Sequence, residues 1–163
     1  MSATLIQKRE MFDAQCKQIK LESKSGVKKM RRVSCPCCGY PTLDERGTYD
    51  ICELCNWEDD GQDDDDSAAC QGGPNGGYSL DQARENFLKY RIMYSPENNT
   101  TLTRGDSAEQ LKIKIELIAL FDRLLSEGNI GIAELWRQIL TTERALYQEV
   151  KRQIQAYGKT LKP

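Results

Sequence analysis

The 163-residue chain contains no histidine. That absence removes Ser-His-Asp and Cys-His catalysis, the histidine-based metalloprotease motifs and a hydrolytic zinc held by three imidazoles. Aromatic residues are sparse at 7%, hydrophobic residues reach 39% and the mean hydropathy is −0.65, so core-building capacity is modest. No apolar run approaches the ~20 residues that span a bilayer. The opening Met1-Ser2-Ala3-Thr4-Leu5 lacks the continuous apolar stretch of a signal peptide. Seven cysteines is an odd count, which does not suit a disulfide framework. These features together place the chain in a reducing cytoplasm.

Four of the cysteines stand in two Cys-x2-Cys pairs, Cys35-Pro36-Cys37-Cys38-Gly39 and Cys52-Glu53-Leu54-Cys55, separated by thirteen residues. This is the spacing of a tetrahedral four-thiolate site, and it makes Cys35, Cys38, Cys52 and Cys55 the candidate ligands of a structural Zn2+ ion. Iron in a rubredoxin-like site is the second choice, because it accepts the same donors. Four thiolates close the coordination shell, so the metal stabilises the fold and performs no Lewis-acid chemistry. Gly39, and Asn56 after the second pair, are residues that tolerate the left-handed conformation such knuckles use. Cys16 falls on the apolar face of an expected helix and reads as a small buried hydrophobe.

Charge is unevenly spread. Residues 1–34 carry +6, residues 35–100 carry −10 and residues 101–163 carry +2. The expected metal module is therefore acidic, where ribbons that grip nucleic acid are basic. An acidic surface attracts a basic partner. The densest acids, Glu58, Asp59, Asp60, Asp63, Asp64, Asp65 and Asp66, form the candidate partner-binding surface, read as an extended, solvated loop. A calcium loop is excluded, because with Gly61 at its sixth position the twelfth falls on Ser67 instead of a glutamate.

Apolar periodicity predicts a helix over residues 4–22, followed by a basic arm containing Lys28, Lys29, Arg31 and Arg32. Residues 40–51 read as a ribbon hairpin turning at Asp44-Glu45-Arg46-Gly47. Ser79-Leu80-Asp81-Gln82 is a capping box that opens a helix burying Leu80, Ala83 and Phe87. Asp106 or Ser107 caps a helix to about Ser126, Glu127-Gly128-Asn129 breaks it, and a second helix runs from about Ile130 to Tyr157. The short break implies an antiparallel hairpin. The apolar band of its first helix, which includes Leu111, Ile115, Ile118 and Leu125, is wide enough for a third helix or a partner protein.

Residues 35–90 resemble the cysteine-rich CPCC family of small bacterial proteins. The likeness runs through Cys35-Pro36-Cys37-Cys38-Gly39-Tyr40, Tyr49-Asp50-Ile51-Cys52 and Cys55-Asn56-Trp57-Glu58-Asp59-Asp60-Gly61. It continues in Gln62-Asp63-Asp64, Gly72-Gly73-Pro74-Asn75, Ser79-Leu80 and Ala83-Arg84-Glu85-Asn86-Phe87. The resemblance implies a zinc-ribbon-like module without assigned enzymatic activity, with Cys35, Cys38, Cys52 and Cys55 as ligands. It leaves Cys37 as a family position that competes with Cys38 for the metal, and Cys70 outside the motif. It also implies an association with toxin–immunity loci.

The fold expected is small and α+β: a four-cysteine zinc ribbon with a short antiparallel β-hairpin and a covering helix, flanked by an N-terminal helix and a C-terminal helical hairpin. Residues 1–32 form the helix and basic arm, 33–95 the CPCC module, 96–105 a linker and 106–163 the hairpin. The function expected is a non-catalytic, zinc-binding immunity protein or antitoxin that binds a cognate toxin with a basic groove. The alternative is a nucleic-acid-associated ribbon using the basic 24–32 segment. A thiol-redox enzyme acting through Cys37 or Cys70 is a third class, and their acidic neighbours argue against it.

Overall fold

A computed structural model describes residues 3–23, 26–29, 31–98, 105–126 and 131–160. Four helices, α1 (Ala3–Gln18), α2 (Leu80–Tyr90), α3 (Ala108–Ser126) and α4 (Ile132–Thr160), and two short strands, β1 (Lys20–Ser23) and β2 (Gly26–Lys29), make the protein mostly helical. Two compact units result, residues 1–105 and residues 106–163.

The first unit opens with α1, which stops four residues before the expected end. Ile19-Lys20-Leu21-Glu22 alternates apolar and polar residues, a period-2 pattern, and it joins the antiparallel ladder Lys20↔Lys29, Leu21↔Lys28, Glu22↔Val27. Gly26 has φ +112 and carries the chain back. Lys24, Ser25 and Met30 of the basic arm lie outside the described residues, as do the linker residues 99–104 and the expected break at 127–129.

The ribbon hairpin expected over 40–51 is replaced by two smaller closures. The 40–43 arm turns back to pair with its own knuckle through an isolated bridge, Val33↔Leu43, and the 49–51 arm does the same through Ile51↔Glu58. Tyr49 adopts φ 62, which breaks the extended run, and Tyr49 and Ile51 are 59% and 58% exposed. Their alternation marks no buried strand face.

Tyr40 is the hinge of the packing. Its ring lies 5.9 Å from Phe12 of α1 and 6.4 Å from Phe87 of α2, so both helices meet over the first knuckle. Helix α2 begins as the sequence predicts. Ser79 Oγ accepts from the Gln82 amide at 3.2 Å, and the Ser79 amide donates to Gln82 Oε1 at 3.0 Å. Leu80, Ala83 and Phe87 are buried. Full burial of Phe12, Leu54, Trp57 and Leu80 supplies ~1.5–3 kcal/mol per side chain as an upper bound.

The second unit is built from α3 and α4. Ser107 caps α3 in the same reciprocal way, with its amide donating to Gln110 Oε1 at 2.7 Å and its hydroxyl accepting at 3.1 Å. Leu117, Phe121 and Leu124 are buried on α3, and Leu135, Trp136, Ile139 and Leu146 on α4. Leu111 and Ile115, members of the expected apolar band, are 37% and 54% exposed. Phe121 meets Trp136 edge-on at 6.1 Å. Lys114 is 1% exposed and its ammonium lies 2.7 Å from the Asp106 carboxylate, so the buried charge is paired.

Candidate metal centre

Each Cys-x2-Cys pair folds into the same knuckle. In the first, the Gly39 amide donates to the Cys35 carbonyl at 2.9 Å and the Cys35 amide donates to the Tyr40 carbonyl at 2.9 Å. In the second, the Asn56 amide donates to Cys52 at 2.8 Å and the Cys52 amide to Trp57 at 2.9 Å. The turn in both requires a left-handed residue after the second cysteine. Gly39 with φ 79 and Asn56 with φ 66 provide it. The sequence therefore encodes one device twice, and the two copies face each other.

Facing knuckles bring Cys35, Cys38, Cys52 and Cys55 together, with all four Sγ atoms within 4.8 Å of one another and fully enclosed. The closest separations are 3.6 Å between Cys35 and Cys55 and 3.7 Å between Cys38 and Cys52. A tetrahedron of ~2.3 Å metal–sulfur bonds has edges of roughly 3.8 Å. The donor set fits a thiophilic metal ion in both number and spacing.

The electrostatics of the cluster ask for a cation. Burial pushes the Cys35, Cys38 and Cys55 thiols well above their ordinary value. Burial alone would raise Cys52 too, but hydrogen bonds from Cys35, Cys38, Cys55 and Thr42 outweigh it and hold Cys52 well below. A divalent ion is what lets all four ionise together in an enclosed site. Two donors are aimed at the sulfurs, with Thr42 Oγ1 3.0 Å from Cys52 and the Trp57 amide 3.5 Å from Cys55.

Of the remaining cysteines, Cys37 lies against Cys55 at the edge of the cluster, and Cys16 and Cys70 are placed elsewhere. Cys37 is 2% exposed but is not one of the clustered four. Cys70 is exposed, with its thiol 3.7 Å from the Gly76 carbonyl. Cys16 packs in the core, and burial, helped by Asp13, pushes its thiol up to about 12.

The acidic segment is folded rather than extended, because its carboxylates hold arginines from distant parts of the chain. Asp59 is fully buried under Arg46, which contacts it at 2.9 Å. Asp63 accepts from Arg9 at 2.8 and 3.0 Å and from Arg46 at 2.6 Å. Asp64 accepts from Arg84 at 2.8 Å. Asp66 accepts from the Asp63 amide, and Asp60 from Asn75 and the Gln62 amide. Glu58 is half-buried with its backbone clasped by Asn75, and Asp65 is exposed. Arg9, Arg46 and Arg84 were not singled out by the sequence reading. Arg9 lies 54 residues from Asp63 and Arg84 lies 20 from Asp64, so no local pattern links the pairs.

Two paired knuckles around an enclosed four-thiol cluster, braced by helices, define a small cysteine-rich metal-binding module. Residues 33–106 match the family model described as Cysteine-rich CPCC, so this part of the chain is similar to that family. No curated protein and no solved structure matches the chain. Helix α1, the β1–β2 hairpin, α3 and α4 lie outside the family match. No helix among the described residues is long and apolar enough to cross a membrane.

Proposed function

We propose that this protein is a zinc-stabilised, non-catalytic binding module that neutralises a cognate bacterial toxin, as an immunity protein or antitoxin in the cytoplasm. The observation that carries the reading is the closed cluster of four buried cysteines in a chain without histidine. Four sulfurs leave a tetrahedral ion no open position, so zinc there holds the knuckles in place. Zinc is chosen over iron because nothing in the acidic module points to an electron-transfer partner.

The exposed chemistry supports a protein partner with basic groups. Tyr49 and Ile51 stand 59% and 58% exposed beside the exposed acids Asp44, Glu45, Asp50 and Glu53. An aromatic and an aliphatic anchor with an acidic rim is the composition of a binding hot spot that steers a cationic surface. This face suits the role better than the aspartates of 63–66, because Asp63 and Asp64 already hold arginines.

The test is affinity capture from the protein's own host after nuclease treatment, followed by expression of the captured protein alone and together with this chain. Growth arrest by the captured protein, relieved on co-expression and restored by Tyr49→Ala with Ile51→Ser, is the expected result. Loss of every partner on nuclease treatment would overturn the reading in favour of nucleic acid.

A further inference from the structure

Helix α1 lies outside the family match, yet it touches the residues that flank both sulfur donors of the first knuckle. Ser34, immediately before Cys35, is 1% exposed. Its amide donates to Asp13 Oδ1 at 2.7 Å, and its hydroxyl reaches the same oxygen at 2.8 Å. Gly39, immediately after Cys38, lies against Leu5, so closely that a Cβ there would run into Leu5 Cδ1. Tyr40 receives the Lys8 ammonium 3.3 Å above its ring and the Phe12 ring beside it. Arg9 anchors the helix at its far side by forking onto Asp63.

We infer that α1 is a clamp on the metal centre, with Asp13 as the positioning residue that holds the Ser34–Cys35 backbone and slows metal release. The inference rests on the metal reading above. A thiolate leaves its ion when its knuckle rotates, and rotation at Cys35 must first break two bonds to a carboxylate, the stronger kind of hydrogen bond. The second knuckle has a brace inside the family segment, where the Met93 amide donates to the Cys55 carbonyl at 2.8 Å. The first knuckle has one such brace, Arg84 Nε donating to the Pro36 carbonyl at 2.9 Å, and α1 adds the other side. By linkage, the factor by which the docked helix tightens metal binding equals the factor by which bound metal tightens docking.

The test uses the full chain loaded with one zinc ion and follows zinc transfer to excess 4-(2-pyridylazo)resorcinol at pH 7. Outer partners of metal ligands are worth about 10- to 100-fold in affinity. Asp13→Ala is therefore expected to release zinc at least about tenfold faster. Asp13→Asn keeps an acceptor oxygen for Ser34 without the charge, and is expected to release it at a rate between the parent and Asp13→Ala. That split separates positioning from a general loss of charge. Arg9→Gln, which removes the fork onto Asp63 and leaves the Arg9 carbonyl in place 3.3 Å from Ser34 Oγ, is expected to speed release as well, and it stands in if Asp13→Ala does not fold. Faster amide exchange in α1 with an unchanged zinc release rate would overturn the clamp. A parent chain that binds no zinc would instead sink the metal reading.

Discussion

Arg46 and Asp59 form an ion pair inside the four-cysteine module, with Nε and Oδ2 2.9 Å apart and the carboxylate fully buried. The same oxygen accepts the Gly47 amide at 2.7 Å, so one side chain fixes both the turn and the second knuckle's outer strand. Breaking such a pair from one side leaves an uncompensated buried charge, at about 3–5 kcal/mol. Arg46→Met is expected to lower stability by roughly this amount, and Asp59→Ala by somewhat less because Arg46 is 27% exposed and rehydrates. Thermal unfolding of the two variants checks the order. Equal, small effects would show that Asp59 is a surface acid after all.

Metal loading should be decided by four cysteines and ignored by three. Serine at Cys35, Cys38, Cys52 or Cys55 removes a donor from an enclosed tetrahedral set, and each variant is expected to lose the bound ion and the cooperative unfolding of the first unit. Cys16→Ser, Cys37→Ser and Cys70→Ser are expected to keep one ion per chain, measured by elemental analysis. Retention by Cys38→Ser together with loss by Cys37→Ser would mean that Cys37 is the ligand. Chelator treatment of the parent should have the same effect as Cys52→Ser, and an unchanged melting curve would contradict a structural metal.

The two knuckle glycine-type positions should differ in what they tolerate. Asn56 has φ 66, open to asparagine and glycine alike, so Asn56→Gly is expected to change stability by a few tenths of a kcal/mol while Asn56→Ala costs about 1 kcal/mol. Gly39 combines φ 79 with the Leu5 contact, and Gly39→Ala is expected to cost more than Asn56→Ala. Denaturant midpoints of the loaded proteins measure the difference. Pairing Gly39→Ala with Leu5→Ala should recover the steric part and leave the backbone part.

How much of this was legible in the sequence follows from the range of each interaction. Each Cys-x2-Cys pair with its left-handed residue, Gly39 or Asn56, and the Ser79–Gln82 cap is a unit of at most five consecutive residues, so spacing and residue type reveal them. The helices α3 and α4 were legible from period alone, but which stripe of α3 is buried was not. Leu111 and Ile115 stand on a second apolar stripe, more than about 100° around the helix from the middle of the stripe of buried Leu117, Phe121 and Leu124, and they are exposed. The acidic run misled because charge repulsion along the chain was visible, and the three arginines that neutralise it were not. The hairpin at 40–51 failed for a related reason. Alternation reports strand-like backbone, but not whether its hydrogen bonds go across the loop or back to Val33 and Glu58.

Glu149 contributes a pH-dependent part of the second unit's stability. Arg152 contacts its carboxylate at 2.7 Å from two nitrogens, Gln153 donates at 2.7 Å and Ser107 lies 3.5 Å away. Led by Arg152 and then Gln153, these hydrogen bonds draw the carboxyl down to about 2. A carboxylate depressed on folding contributes stability that is complete above the unfolded value, about 4.3 for glutamate, and is lost as pH falls through that value toward 2. The side-chain carbon shift of Glu149 is therefore expected to titrate near 2 in the parent and closer to 4 in Arg152→Ala. Glu149→Gln should remove this contribution at pH 7 and leave stability nearly unchanged near pH 2, where the parent has already lost it. A Glu149 that titrates at the ordinary glutamate value would show that the Arg152 contact does not persist in solution, and the cap at Ser107 would then stand on Gln110 alone.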